Sequence, residues 1–292
     1  MHKTVFAEEA VSYLNVREGS VVVDATFGNG GHSRAILERI GATGTLIAID
    51  RDPDAVERMR QMPKPEAAWY PVHENFRDLD RIVRHCGCTA VHAILFDFGL
   101  SQFQIDASNR GFSFRRHEVL DMRMDPCTPL TARDIVNTYT ERDIADILYR
   151  YGEERHARRI ARAIVARRDT QPFETSDELA DVVMAVTPAR FRYGRSHPAT
   201  KTFQAFRIVV NDELESIRDG LTKAVEILAP GGRCVALSFH SLEDRIVKRI
   251  FRETAQTQRA RLVTKKPLTV TAQERENNPR ARSAKMRVLE KI

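Results

Sequence analysis

Apolar runs of strand length recur along the chain, and three of them close on an acid. Val21–Val23 is followed by Asp24, Thr45–Ile49 by Asp50, and Val91–Phe96 by Asp97. Such runs lack the alternation of a half-exposed strand. They have the pattern of parallel strands buried on both faces. The pattern predicts strands at Ser20–Asp24, Thr45–Asp50, Ala68–Val72, Val91–Asp97 and Arg233–Phe239, the last introduced by Ala229-Pro230-Gly231-Gly232. Helices are expected at Ser33–Ile40 and at Asp54–Gln61, with Pro53 suited to a first helical turn. Strands and helices in alternation, with acids at the strand ends, predict an α/β fold built on a doubly wound parallel sheet. Its ligands should lie outside the carboxyl ends of the strands.

The stretch between the fourth and fifth strands is too long for one crossover. Apolar residues at helical spacing (Ile144, Ile147, Leu148 and Tyr151, then Ala157, Ile160, Ala161, Ile164 and Val165) make Leu130–Arg168 helical in pattern. Thr131 with Asp134, Thr140 with Asp143, and Thr175 with Glu178 have capping-box spacing. These signals predict an inserted all-helical domain over 112–198, between sheet segments 1–111 and 199–292. Thr202–Leu228 reads as one long amphipathic helix with a bend. Ser241–Glu253 reads as a helix capped by Ser241 and Asp244. Ala260–Lys265 and Ala284–Lys291 read as two closing strands, with a polar loop at 269–279 between them.

Charge sharpens this picture. The 292 residues carry a net charge of +6, and from Arg245 onward 14 Lys/Arg face 4 Asp/Glu. That segment is therefore at +10, and the remainder of the chain is at −4. Arg155, Arg158, Arg159, Arg162, Arg167 and Arg168 form a second cluster with no acid between them. Basic density of this kind suits a polyanionic partner, and equally a solvated helix face. The cysteines Cys86, Cys88, Cys127 and Cys234 form no C-x-x-C pair, so no metal site is expected. No apolar run approaches the roughly 20 residues of a membrane helix. The N-terminus has no signal-peptide core, so a cytoplasmic location is expected.

The chemistry concentrates at Asp24 and Gly28-Asn29-Gly30-Gly31-His32-Ser33. A strand, a glycine turn and a helix in that order build a nucleotide-type cofactor site. Counted from Gly28, the third glycine of the dinucleotide pattern is replaced by Ser33. Asp24 before the turn, facing a methionine amine, and Asp50, able to accept both ribose hydroxyls, fit S-adenosylmethionine. An acid at the position of Asp50 also serves NAD, so both cofactors stand at this point, with the methyl donor favoured.

Eight stretches in order carry a more specific resemblance. They are TFGNGGHSRAIL (26–37), IDRDPDA (49–55), RGFSFR (110–115), LDMRMD (120–125), YGEERHARRIARAIV (151–165), HPATKTFQAFRI (197–208), SFHSLEDRIVKR (238–249) and NPRARSAKMRV (278–288). With these, the chain resembles the bacterial MraW family of small-subunit ribosomal RNA methyltransferases, which methylate N4 of a cytidine in the decoding (P-site) region of 16S rRNA. The resemblance implies the class I S-adenosylmethionine-dependent methyltransferase fold, Rossmann-like, with a helical insertion. It places the methyl donor on Gly30, Gly31, His32, Asp50, Phe76, Asp97 and Gln104. After Asp97 the family's usual Ser-Pro pair is replaced by Gln102-Phe103, close to Gln104.

A cytosine amino nitrogen is a poor nucleophile because its lone pair is delocalised into the ring. An acceptor must orient it, and Asp97 is the candidate catalytic group. His240, after the fifth strand, is a second candidate, with bracing of its own loop as the alternative. RNA-contacting candidates are Arg115, Arg116, Lys201, Arg207, Arg245, Arg280 and Arg282, and phosphate contacts of this kind supply affinity rather than base choice. The target base must leave its stack, with Phe98 or Phe112 available to receive it. The partner implied is 16S rRNA in the assembled small ribosomal subunit, with no membrane and no obligatory protein partner. A DNA amino-methyltransferase should carry a proline-containing loop after Asp97, which is absent here. A nicotinamide oxidoreductase is the other alternative.

Overall fold

A computed structural model describes residues 4–194 and 197–292. The strands are β1 (Val21–Asp24), β2 (Thr45–Asp50), β3 (Ala68–His73), β4 (Val91–Asp97), β5 (Leu228–Ser238), β6 (Ala260–Leu262), β7 (Leu268–Thr269) and β8 (Lys285–Lys291). They form one sheet in the order β3-β2-β1-β4-β5-β8-β6, with β7 also on β8. The first five strands are parallel, and β8 is antiparallel to β5, β6 and β7. Val22, Val23, Leu46–Ile49 and Ala93–Phe96 are fully buried, as their unbroken apolar runs require. β3, at the sheet edge, is mostly exposed, which explains its weak pattern.

The described chain divides into two compact units. One comprises the residues up to Leu100 together with Leu214–Ile292, and the other is Ser101–Glu213. The insertion is longer at both ends than the expected 112–198. At the C-terminal end the reason is Asp212, in the left-handed region with φ 47°. It splits the expected single helix into Thr200–Asn211 and Glu213–Ile227, so that the first half stays with the insertion.

Within the insertion, helix Thr200–Asn211 packs on Glu141–Gly152, which packs on Ala157–Arg168. Gly152 permits the close approach, since a Cβ there would lie 2.7 Å from the Lys201 carbonyl oxygen. Asn211 donates to the Met122 carbonyl and accepts from the Met124 amide, both at 2.7 Å. Arg110 donates to the carbonyls of Arg123 (3.1 Å) and Met124 (2.7 Å). The RGFSFR and LDMRMD motifs thus fold each other into a fixed loop, with Phe114 stacked on His197 at 4.4 Å between centroids.

Other differences are local. The N-terminal helix Ala7–Leu14 buries Ala10, Val11 and Leu14 against the sheet unit. β5 begins at Leu228, so the Ala-Pro-Gly-Gly stretch lies inside the strand, where the pairing with β4 shifts register. The segment read as a loop at 269–279 holds the helix Ala272–Asn277. Among the described residues, no helix is long and apolar enough to cross a membrane.

Candidate active site

Parallel pairing of β2, β1 and β4 brings Asp50, Asp24 and Asp97 to one edge of the sheet unit. Immediately after β1, Gly28 and Gly30 adopt φ 55° and 75°, and helix Gly31–Ile40 starts from Gly30. The turn is pinned from both sides. The Gly28 amide donates to Asp50 Oδ2 at 2.8 Å, and the Gly28 carbonyl accepts from Arg58 at 3.3 Å. A Cβ on Gly30 would stand 2.6 Å from the Phe27 ring, and one on Gly31 would overlap Thr4 Oγ1. Gly30→Ala is therefore expected to cost about 1–3 kcal/mol from left-handed strain and crowding, read as a lowered midpoint in denaturant with unchanged slope.

Asp24 is fully buried and faces inward. Its oxygens accept from the Thr26 amide at 3.2 Å and from the Ser33 hydroxyl at 2.6 Å. Burial pushes its carboxyl up to about 6, the Ser33 hydrogen bond opposing. Asp24 thus holds the turn together, and the expectation that it faces a methionine amine is not met. Asp50 accepts from the amides of Gly28 and Asp52, and burial raises it to about 6 as well. Each Asp50 oxygen keeps a second lone pair that a sugar hydroxyl can use.

Asp97 is held at its backbone, where its amide donates to Thr26 Oγ1 at 2.6 Å. About a quarter of its side chain (26%) reaches the surface. Its Oδ1 is buried and accepts no hydrogen bond from the described residues. Desolvation raises its pKa to about 8, and the carboxylates of Asp24 and Glu243 raise it further in the same direction. His32, buried on the first turn of its helix, places Nδ1 3.6 Å from Asp97 Oδ2 and Nε2 3.1 Å from the Val5 carbonyl oxygen. Phe76 packs edge-on to Phe96 at 5.5 Å between centroids, and a Cβ on Gly220 would meet its ring at 2.7 Å.

These residues fit S-adenosylmethionine. A backbone turn without side chains, a half-buried acid with open lone pairs and a carboxyl oxygen with no donor among the described residues lie along three neighbouring strand ends of one unit. The whole chain, residues 1–292, matches the model of the MraW methylase family. The chain belongs to the MraW methylase family. It is 45% identical to the ribosomal RNA small subunit methyltransferase H of Carboxydothermus hydrogenoformans, covering 100% of this chain and 98% of that protein. To the protein of the same name in Persephonella marina it is 46% identical, covering 100% and 99%. Its fold is similar to that of a crystallised Clostridium thermocellum protein described as an rRNA-methylase, with TM-score 0.50 at 12% identity over 100% and 98% of the two chains. The chain is thus a methyltransferase of this family, with an α/β fold.

Not every candidate lies where this family member's sequence suggests. His240 caps its own helix: Nδ1 accepts from the Glu243 amide at 3.4 Å, and Nε2 stands 3.1 Å from Glu243 Oε1. The capping pair is therefore His240 with Glu243, not Ser241 with Asp244. Asp244 instead pairs with Lys285 at 2.8 Å and Arg287 at 2.7 Å. Gln104 lies in the inserted unit, where its Oε1 accepts from the Ser101 amide at 2.9 Å and closes the capping box of helix Gln102–Asp106.

Arg207 makes two bonds to Glu213, at 2.7 and 2.8 Å, and so is part of the helical scaffold rather than a free phosphate contact. Lys201 donates to the Glu153 carbonyl at 2.8 Å, and Arg116 to that of Asp106. Both remain exposed, as do Arg115, Arg245 and Arg282, while the side chain of Arg280 lies outside the described part. Phe98 and Phe112 are buried, which leaves neither ring a free face for a base. Sequence reasoning assigned no role to Thr26 or Arg58, and it placed Glu243 in the stretch after the fifth strand without its capping role.

Proposed function

We propose that this enzyme methylates N4 of a cytidine in the decoding region of 16S rRNA, with the assembled small subunit as substrate and the cytoplasm as its place of action. The relatives' names give small-subunit ribosomal RNA. The observation that carries the choice of an amino group is Asp97 Oδ1, an acceptor at the end of β4 with no donor among the described residues. Bound there, S-adenosylmethionine supplies an electrophilic methyl group. The residues of the chain do the rest. Asp50 would accept the ribose hydroxyls, the Gly30-Gly31 backbone would hold the methionine part, and Phe76 would border the adenine. In its ionised form, whose share grows as pH rises toward 8, Asp97 accepts an amino hydrogen of the base, turns the nitrogen lone pair toward the methyl carbon and then receives the proton. His240 is left as a brace for the loop after β5.

The reading is tested by mass mapping of small-subunit rRNA from a strain lacking the gene, with and without the gene returned. The expected result is loss and recovery of one methyl group on a decoding-region cytidine. An unchanged cytidine overturns it.

Asp50 carries a second expectation. Its carboxyl titrates near 6 in the folded protein, and only the ionised form accepts both hydroxyls. Affinity for S-adenosylmethionine should therefore be constant above pH 6 and weaken by up to about tenfold per pH unit below it, the signature of one proton to be displaced. Calorimetric titration across pH 5–8 reads this. Asp50→Asn should bind about 10–100-fold more weakly, the loss of a charge-assisted hydrogen bond, and without that limb.

A further inference from the structure

Residues 4–6 lie against the glycine turn after β1 and the helix that follows it. Thr4 Oγ1 would stand 1.9 Å from a Cβ on Gly31. The Val5 carbonyl oxygen stands 3.1 Å from His32 Nε2. A carbonyl oxygen only accepts, so Nε2 donates. The Phe6 amide donates to Glu274 Oε1 at 2.9 Å, across 268 positions of the chain. The Val5 carbonyl and the Phe6 N–H are the two ends of one planar peptide group. Glu274 and His32 therefore close opposite ends of a single chain of hydrogen bonds, from carboxylate to peptide to imidazole. A charged acceptor on the N–H side polarises the peptide and makes its oxygen a stronger acceptor on the other side.

Local structure accounts for neither end. Glu274 is the third residue of helix Ala272–Asn277, and the capping Thr271 accepts from its amide at 3.1 Å. The spacing is that of a capping box, in which the carboxylate would reach back to the amide of the cap. Here Oε1 reaches Phe6 instead. Phe6 adopts φ 53° and ψ 35°, the left-handed region that is uncommon for a bulky residue. Its ring is buried, and its carbonyl accepts from the Ala10 amide at 2.8 Å at the start of helix Ala7–Leu14. Such a conformation persists where its surroundings hold it, and the bond to Glu274 is one of the holds. His32 is buried on the first turn of helix Gly31–Ile40, with Nδ1 3.6 Å from Asp97 Oδ2. Its ring thus reaches the end of β4, and the Val5 bond fixes which nitrogen points there.

We propose that Glu274 is a positioning residue of the donor site, holding the His32 ring in its binding orientation through the Val5–Phe6 peptide. This rests on the reading of His32 as a contact of the methyl donor. Glu274, Val5, Phe6 and His32 all belong to the sheet unit. Loss of the Glu274 acceptor takes the charged partner from the Phe6 amide, weakens the Val5 oxygen as an acceptor and lets the ring turn. The donor must then order the ring as it binds, which costs affinity.

Calorimetric binding of S-adenosylmethionine to the full chain, without rRNA, tests this. Glu274→Ala should bind about 3–10-fold more weakly, the range for one lost hydrogen bond. Glu274→Gln keeps an acceptor for the Phe6 amide and should return to within about twofold of the parent. Glu276→Ala, at an exposed acid of the same helix, should match the parent. In a His32→Ala background Glu274→Ala should have no further effect, because its influence passes through the ring. Parent-like binding by Glu274→Ala overturns the proposal. So does an effect that persists in full without the ring, which assigns Glu274 a structural role. If His32→Ala itself binds the donor like the parent, the reading of His32 has failed and the proposal falls with it. If His32→Ala binds weakly and Glu274→Ala does not, the positioning alone has failed.

Should His32→Ala not fold, spectra of the histidine-labelled protein replace the double variant. The Nε2–H proton of one histidine should move upfield in Glu274→Gln and exchange faster with water in Glu274→Ala, and no other histidine signal should shift. Spectra with no displaced histidine signal overturn the proposal.

Discussion

Asp97→Asn is expected to lower the single-turnover rate by about 10²–10⁴-fold, the range for loss of a positioned proton acceptor. Affinity for S-adenosylmethionine should stay within a few-fold. Asparagine keeps the size of the side chain and an oxygen that accepts a hydrogen bond, but that oxygen cannot take up the proton. Rapid mixing of small subunits lacking the methyl group with enzyme and labelled donor reads the rate, and calorimetry reads donor binding. A loss of binding as large as the loss of rate would show that Asp97 serves the donor only.

The same variant should be more stable than the parent in alkaline solution. The Asp97 carboxyl titrates near 8 when folded and near 3.8 as a free side chain. Between those values the folded state binds more protons than the unfolded state, so this group's contribution to stability falls as pH rises from about 4 to 8. Above 8 the whole penalty of a buried carboxylate is present. Asparagine carries no such penalty. The gap in midpoint between the two proteins should widen from pH 4 to 8 and then level off, a trade of stability for function at a strained site.

The second large effect is expected at Glu243. Its Oε2 accepts from the Phe239 amide at 2.7 Å and the His240 amide at 3.2 Å, at the start of helix Ser241–Gln256. Glu243→Ala orphans both donors in a buried place and should cost about 2–4 kcal/mol. For a chain of this size that lowers the thermal midpoint by roughly 3–7 °C. Glu243→Gln keeps an acceptor and the side-chain volume, so its midpoint should stay close to that of the parent. It removes one of the negative charges facing Asp97, whose carboxyl should then titrate lower. An Ala variant as stable as the parent would show that the cap contributes little.

Strand placement was legible because a buried parallel strand has no choice of pattern. β2 and β4 fall on the expected residues, and β1 within one residue. The caps at Thr131, Thr140 and Thr175 were legible for the same reason, since the signal and the structure are both local. The insertion's boundaries were not legible. They depend on Asn211 reaching Met122 and Met124 and on a left-handed Asp212, and neither leaves a mark on hydrophobic periodicity. The sequence left His240 between chemistry and bracing, and Arg207 among the RNA candidates, because a charged or ionisable side chain looks alike in sequence whether it meets a substrate or a neighbour.

By itself the sequence determined the α/β fold, the three acids at the ends of β1, β2 and β4, the glycine turn and the family. These follow from backbone chemistry and residue order, which act over a few positions at a time. Only the tertiary structure decided which acid does what. Asp24, Asp50 and Asp97 are the same residue type at equivalent strand ends. They differ in what folds over them: Ser33 and Thr26 over the first, two backbone amides over the second, and over the third His32 beside Oδ2 with no donor to Oδ1 among the described residues. An acid's proton affinity is set by burial and by the charges and donors that face it, and those arrive from positions distant in the chain.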